Sequence, residues 1–141
     1  MSSVLPDATT PFGQRVAQRL REETVIWLTT VGADGTPQPN PVWFLWDGET
    51  ILVYNQTTAK RLQHIARNPH VSLNFNSTDD GDDVVIITGE AQVNPNEKLA
   101  HEIPEYAAKY AQSIVELGSI ENMAREYPVA LRIRPTKVRG S

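Results

Sequence analysis

Short runs of alternating apolar and polar residues, separated by turn residues, dominate the chain. From Thr24 to Val31, Ile26, Leu28 and Thr30 fall on one face of a strand and Val25, Trp27 and Thr29 on the other. Ala33-Asp34-Gly35-Thr36 reads as a turn. A second strand, Asn40 to Trp46, is entered through Pro37 and Pro39, whose missing N–H groups predict an irregular start or a sheet edge. Asp47-Gly48 is a two-residue turn signal, since both residues tolerate positive φ. Thr50 to Tyr54 resumes the strand pattern, with Ile51 and Val53 facing one way and Leu52 and Tyr54 the other. Val71 to Phe75 and Val84 to Val93 are further strands, the latter with Gly89 as a bulge or point of close approach. Tyr127 to Ile133 is the last, and its tail, Arg134 to Arg139, either continues along a sheet edge or trails off.

Helical spacing appears between these runs. Thr10-Pro11 reads as an N-cap with proline at the first helical position, opening a helix to about Glu23. Phe12, Val16 and Leu20 share one face, and Arg15, Arg19 and Arg21 read as a solvated one. A short helix spans Ala59 to Arg67, with Thr57 or Thr58 as cap, Leu62, Ile65 and Ala66 as apolar face, and Asn68-Pro69 as stop. After Asn94-Pro95, helical pieces are predicted over Glu97–Ile103 and Glu105–Leu117, separated by Pro104, with one or two turns more over Ile120–Glu126. Tyr106, Ala107, Tyr110, Ile114 and Leu117 form an apolar stripe there, read as core or as a dimer surface. Six or seven strands with helices at the edges predict a mainly β fold, a small antiparallel β-barrel with peripheral helices.

At 141 residues the chain accommodates one domain with a real core. Residues 1–9 read as a loose arm and residues 10–141 as a single domain. A net charge of −4 argues against a general nucleic-acid binder, so no nucleic-acid partner is expected. No apolar run is long enough to cross a membrane as a helix, and MSSVLPDATT lacks a signal pattern, which predicts a cytoplasmic protein without a membrane partner. The absence of cysteine excludes disulfides, thiolate metal sites and a cysteine nucleophile.

The chemistry concentrates at the polar corner Asn55-Gln56-Thr57-Thr58-Ala59-Lys60-Arg61. A helix N-terminus attracts anions through free N–H groups and its dipole. Cations in its first turn are unfavourable unless an anion offsets them, so Lys60 and Arg61 read either as a phosphate clamp or as a solvated basic pair. His64, His70 and His101 lack partners at metal-ligand spacing, and the four aspartates of residues 79–83 lack the calcium-loop pattern and read as an exposed hairpin loop. No nucleophile elbow, P-loop or dinucleotide fingerprint occurs, and no catalytic side chain stands out. Trp43 and Trp46, three apart on a strand, face opposite sides; they read as core, with ring stacking by Trp43 as the other possibility.

Gly35-Thr36-Pro37, Pro41-Val42, the corner from Tyr54 to Arg61, and Asn68-Pro69-His70-Val71-Ser72-Leu73 together resemble the pyridoxamine 5′-phosphate oxidase-like, split-barrel flavin-binding family. The resemblance covers residues 10–95 well and the remainder loosely. It implies a homodimer with the cofactor in a cleft between subunits and a small-molecule substrate. It also implies a basic pair, here Lys60 and Arg61, on the cofactor phosphate, with Tyr54, Asn55, Gln56, Thr57 and Ala59 around it. Asn40, Pro41, Val42 and Trp43 would lie near the cofactor ring. Family oxidases that make pyridoxal phosphate carry Arg where this chain has Asn40 and Lys near Leu45. Pro41-Val42-Trp43 with this corner is more similar to the subgroup that uses the deazaflavin coenzyme F420. The implied activity is an F420-dependent oxidoreductase passing hydride between the deazaflavin and an unsaturated small molecule. FMN-dependent oxidase or reductase chemistry, a non-catalytic cofactor carrier and a tetrapyrrole binder are the alternatives. For an F420 enzyme, Arg15, Arg19 and Arg21 acquire a second reading as contacts to the anionic tail of the coenzyme.

Overall fold

The computed structural model describes residues 4–141; the first three residues of the expected N-terminal arm lie outside them. Of the rest of that arm, Leu5 packs against the main core and the Asp7 carbonyl accepts from the Thr10 N–H. Seven antiparallel strands are hydrogen-bonded in the order β2-β1-β5-β6-β7-β4-β3. They are β1 (Ile26–Val31), β2 (Pro37–Val42), β3 (Leu45–Trp46), β4 (Ile51–Asn55), β5 (His70–Asn74), β6 (Val85–Val93) and β7 (Val129–Gly140).

The two ends of that order are neighbours in sequence. β2 pairs with β1 and β3 pairs with β4, yet only Trp43 and Phe44 lie between them. Three peptide links reach about 11 Å at most. The sheet must therefore curl until its edges nearly meet, and because β2 and β3 do not pair, the barrel stays split along that seam. The expected single strand from Asn40 to Trp46 is thus two strands. The break frees the backbone groups of buried Phe44, and the distant helical layer satisfies them. The Phe44 N–H donates to the Tyr110 hydroxyl at 2.9 Å, and Lys109 Nζ donates to the Phe44 carbonyl at 2.8 Å. Lys109 also sits 3.7 Å from the centroid of the Phe44 ring. Burial pushes its ammonium pKa down to about 8, against the opposing charge of Glu23.

β7 is longer than the predicted strand because its tail pairs with β6 as far as Val85↔Gly140. The ladder shifts register at Thr88/Gly89, where a Cβ on Gly89 would stand 2.6 Å from the Arg134 carbonyl oxygen, so the residue serves both as bulge and as close approach.

Two cores result. Ile51 and Val53 join Ile26, Leu28, Leu73, Ile87 and Ile133 inside the barrel, together with Val16 and Leu20 of helix α1 (Pro11–Glu22). Leu52 and Tyr54, on the other face of β4, pack under the helical layer. β4 is therefore buried on both faces, divided as its alternation predicts. The helical layer is more broken than expected. A 3₁₀ turn at Ala100–Glu102 replaces the helix over Glu97–Ile103. Pro104 opens α3 (Pro104–Lys109) rather than separating two helices; α4 (Ala111–Glu116) and α5 (Ile120–Glu126) follow. Tyr106 and Tyr110 are core, as is Ile114, whereas Leu117 is half exposed.

The arginine face of α1 departs from expectation at Arg19, whose side chain is only 11% exposed. It donates to the carbonyls of Asn76 and Asp83, pairs with Glu23 and Asp83, and lies over the Phe75 ring. Arg15 also pairs with Asp83, so this side of α1 fastens the β5–β6 loop instead of facing water, while Arg21 remains exposed.

Candidate functional site

The helix after β4 begins at Lys60 rather than Ala59. Neither Thr57 nor Thr58 caps it: Ala59 stands at the N-cap, and no side chain accepts from the first turn. In α2 (Lys60–Arg67) the Leu62 N–H turns back to the Ala59 carbonyl at 3.1 Å, so the N–H groups of Lys60 and Arg61 are left for solvent or a ligand. Ile65 is buried and Leu62 packs against the core, but Ala66 is exposed rather than part of the apolar face.

Arg61 is half-buried, and its Nη1 donates to Asn55 Oδ1 at 2.6 Å. Asn55 is fully buried and is fixed in turn by donating to the carbonyls of Val53 and Val129, both at 3.0 Å. The sheet itself therefore aims the guanidinium. No carboxylate forms an ion pair with Lys60 or Arg61 among the described residues. Burial lowers the Arg61 pKa from its ordinary value, partly offset by Tyr127. A partly desolvated cation without a counter-ion is the arrangement expected where a ligand supplies the negative charge. Replacing Asn55 by alanine should cost about 1–3 kcal/mol of stability by leaving buried carbonyls and Arg61 without their partner. Urea denaturation checks the cost, and anion affinity should fall in the same variant as Arg61 loses its fixed direction.

A cleft of about 650 Å³ opens beside this helix. Asn40, Pro41, Val42 and Trp43 line it from the β2 edge, Tyr54, Gln56 and Ala59 from the corner, and Lys60 and Arg61 from α2. Asn55 and Thr57, grouped with them in sequence, do not line it; Asn55 acts from behind through Arg61. The cleft also takes residues that sequence reasoning did not single out as site residues. Gln38 comes from β2, and Thr30 and His64 are joined at 2.8 Å through Oγ1 and Nδ1. The helical layer and its junction with β7 add Tyr106, Leu117, Met123 and Tyr127. His64 was legible in principle, one turn after Lys60 and Arg61 on the same helix. The helical-layer residues carry no local signal.

No aspartate or glutamate lines the cleft, although the chain carries a net charge of −4. It combines two cations, neutral hydrogen-bonding side chains and aromatic rings. Trp43 does stack, but on Tyr110, with centroids 4.4 Å apart and planes within 5°, while Trp46 packs against the barrel core. The Tyr54 hydroxyl is committed to the Lys98 carbonyl, and burial raises its pKa far above the usual phenol range. Tyr54 thus stays protonated, and its proton is already engaged. Among the described residues no group of three or more His, Asp or Glu is placed to hold a metal, and no helix is long and apolar enough to cross a membrane.

A split antiparallel barrel with a basic, aromatic-walled cleft at the β4–α2 corner defines a protein of the split-barrel class. Residues 12–141 match the family described as pyridoxamine 5′-phosphate oxidase, and the chain belongs to that family. Among solved structures it is similar to an F420 reductase, with 25% identity, TM-score 0.69, and coverage of 86% of this chain and 94% of that one. A conserved hypothetical protein of Mycobacterium tuberculosis shares 19% identity at TM-score 0.73, covering 99% and 87%. The heme storage protein HutZ of Vibrio cholerae shares the fold at 16% identity and TM-score 0.64, covering 93% and 95%. No curated protein matches the chain significantly.

Proposed function

We propose that this protein is an oxidoreductase that uses coenzyme F420 to reduce an unsaturated small molecule. The carrying observation is the cleft: cations without carboxylate partners at an uncapped helix start, facing a space of about 650 Å³ with aromatic and neutral polar walls. That donor set suits a flat heteroaromatic ring bearing a phosphate. Lys60, Arg61 and the first-turn N–H groups of α2 would hold the phosphate. Asn40 and Gln38 on β2, a strand whose residues 37–41 are all exposed, would meet the polar edge of the ring. Asn40 offers no positive charge beside it, which favours the deazaflavin over FMN; Leu45 packs against the helical layer and does not line the cleft. The likeness to an F420 reductase supports the same choice.

When bound and reduced, the deazaflavin would supply the hydride. The chain's residues would bind and orient it, with Val42, Leu117 and Met123 as an apolar wall. A homodimer is part of this reading, the exposed β2 edge and the open side of the cleft being where a second copy would close the site. A second reading, tetrapyrrole binding, is favoured by one observation: His64 lines the cleft, where a ligand could reach it. Its Nδ1 is engaged with Thr30, which leaves only Nε2 for a metal.

Parallel fluorescence titrations with F420 and FMN, with a heme titration beside them, decide among these. Tight F420 binding with weak FMN binding is expected, followed by turnover of the reduced coenzyme with an acceptor. Preference for FMN moves the protein to the flavin branch, and a heme spectrum that His64→Ala abolishes moves it to the tetrapyrrole reading.

A further inference from the structure

Three tyrosines meet where the helical layer lies on β4, and two have hydroxyl partners. Tyr54 donates to the Lys98 carbonyl; Tyr110 donates to the Thr24 carbonyl and accepts from the Phe44 N–H. Tyr106, on α3, is 0% exposed, and its hydroxyl has no hydrogen-bond partner among the described residues. Its ring packs edge-on to Tyr54 at 5.2 Å and tilted against Tyr110 at 5.0 Å. A buried hydroxyl without a partner destabilises the fold, and phenylalanine would fill the same volume without that cost. The packing therefore does not explain the oxygen atom. Tyr106 is also one of the residues that line the cleft.

We propose that the Tyr106 hydroxyl donates a hydrogen bond to an uncharged acceptor oxygen, a carbonyl, of the molecule held in the cleft, and so fixes its orientation. The acceptor is uncharged because the cleft residues of the same helical layer, Leu117 and Met123, are apolar, while the cations Lys60 and Arg61 belong to α2. Burial, with Tyr110 and Tyr54 close by, raises the phenol pKa well above its usual range, so the proton is always available to donate. The identity of the ligand rests on the proposed function; the unpartnered hydroxyl does not. A carbonyl could belong to the tricyclic ring or to the molecule being reduced.

Tyr106→Phe separates these possibilities. Without ligand its melting temperature should equal or exceed that of the wild type, because an unsatisfied donor has been removed. Its affinity for F420, or for FMN if that is the cofactor bound, should weaken about three- to tenfold if the acceptor is a ring carbonyl. If the acceptor is the substrate, cofactor affinity holds, and KM for cyclohex-2-enone at saturating reduced F420 rises by a similar factor. A lowered melting temperature overturns the proposal, since the hydroxyl then has a partner inside the fold. Unchanged affinity and unchanged KM for every probe the wild type accepts overturn it equally. If the wild type binds neither F420 nor FMN, the cofactor reading fails on its own. The melting temperature and the heme titration, repeated on Tyr106→Phe, then decide the role of Tyr106.

Discussion

Exchanging Lys60 and Arg61 together for alanine is expected to weaken cofactor binding by at least about thirty- to a hundredfold, or 2–3 kcal/mol at 1.4 kcal/mol per decade. Each charged hydrogen bond to a phosphate contributes roughly 1.5–3 kcal/mol, and the exposed lysine contributes at the low end because solvent screens it. Arg61 should therefore carry most of the loss: it is half-buried, and Asn55 holds it in one direction at 2.6 Å. The single variants test this ranking, with Arg61→Ala weaker-binding than Lys60→Ala. Rising salt should reduce the wild-type affinity more steeply than that of the double variant, since the charges responsible are gone from the latter. Lys60→Ala should leave stability almost unchanged, whereas any variant lacking Arg61 should lose about 1–3 kcal/mol, because the buried Asn55 Oδ1 loses its donor. Unchanged affinity in the double variant would remove the phosphate from this corner and with it the main support for the proposed function.

The residues of that corner were legible in sequence because local chemistry marks them. A basic pair in the first turn of a helix is unfavourable without an anion, and this can be read with no knowledge of the fold. The strands were legible for a similar reason: alternation puts Ile26 and Leu28 of β1 with Ile51 and Val53 of β4 in the barrel core, and Leu52 and Tyr54 under the helical layer. What escaped depends on residues far apart in the chain. Asn40 to Trp46 is built of residues that suit a strand, yet it changes partner from β1 to β4 at Trp43–Phe44. That break is tolerable only because Lys109 and Tyr110 satisfy Phe44 from more than sixty residues away. Arg19 looked solvated because its own helix offers only Glu23; its other partners, Asp83 and the Asn76 carbonyl, lie on the β5–β6 loop. The far wall of the cleft escaped for the same reason. Leu117, Met123 and Tyr127 come from short helices whose order in space is set by their packing on β4 rather than by their own periodicity.

The dependence of the barrel seam on Tyr110 leads to the largest expected effect on stability. Tyr110→Phe should destabilise the protein by about 2–4 kcal/mol, although it removes a single oxygen atom. That atom accepts from the Phe44 N–H at 2.9 Å and can donate to the Thr24 carbonyl at 2.6 Å or the Phe44 carbonyl at 3.1 Å. Its one proton goes to Thr24, the shorter contact, and Lys109 serves Phe44. Without the hydroxyl, the N–H of a residue that is 0% exposed has no acceptor, and the penalty is that of desolvating an unsatisfied group. The stacking of Tyr110 on Trp43 survives the change, so packing cannot account for the loss. The comparison with Tyr106→Phe is the sharpest check, because the same atom is deleted from neighbouring rings of equal burial. Denaturant midpoints should fall for Tyr110→Phe and hold or rise for Tyr106→Phe. Equal losses in the two would mean that the hydroxyls are alike, and that the seam at Trp43–Phe44 is held by something other than the helical layer.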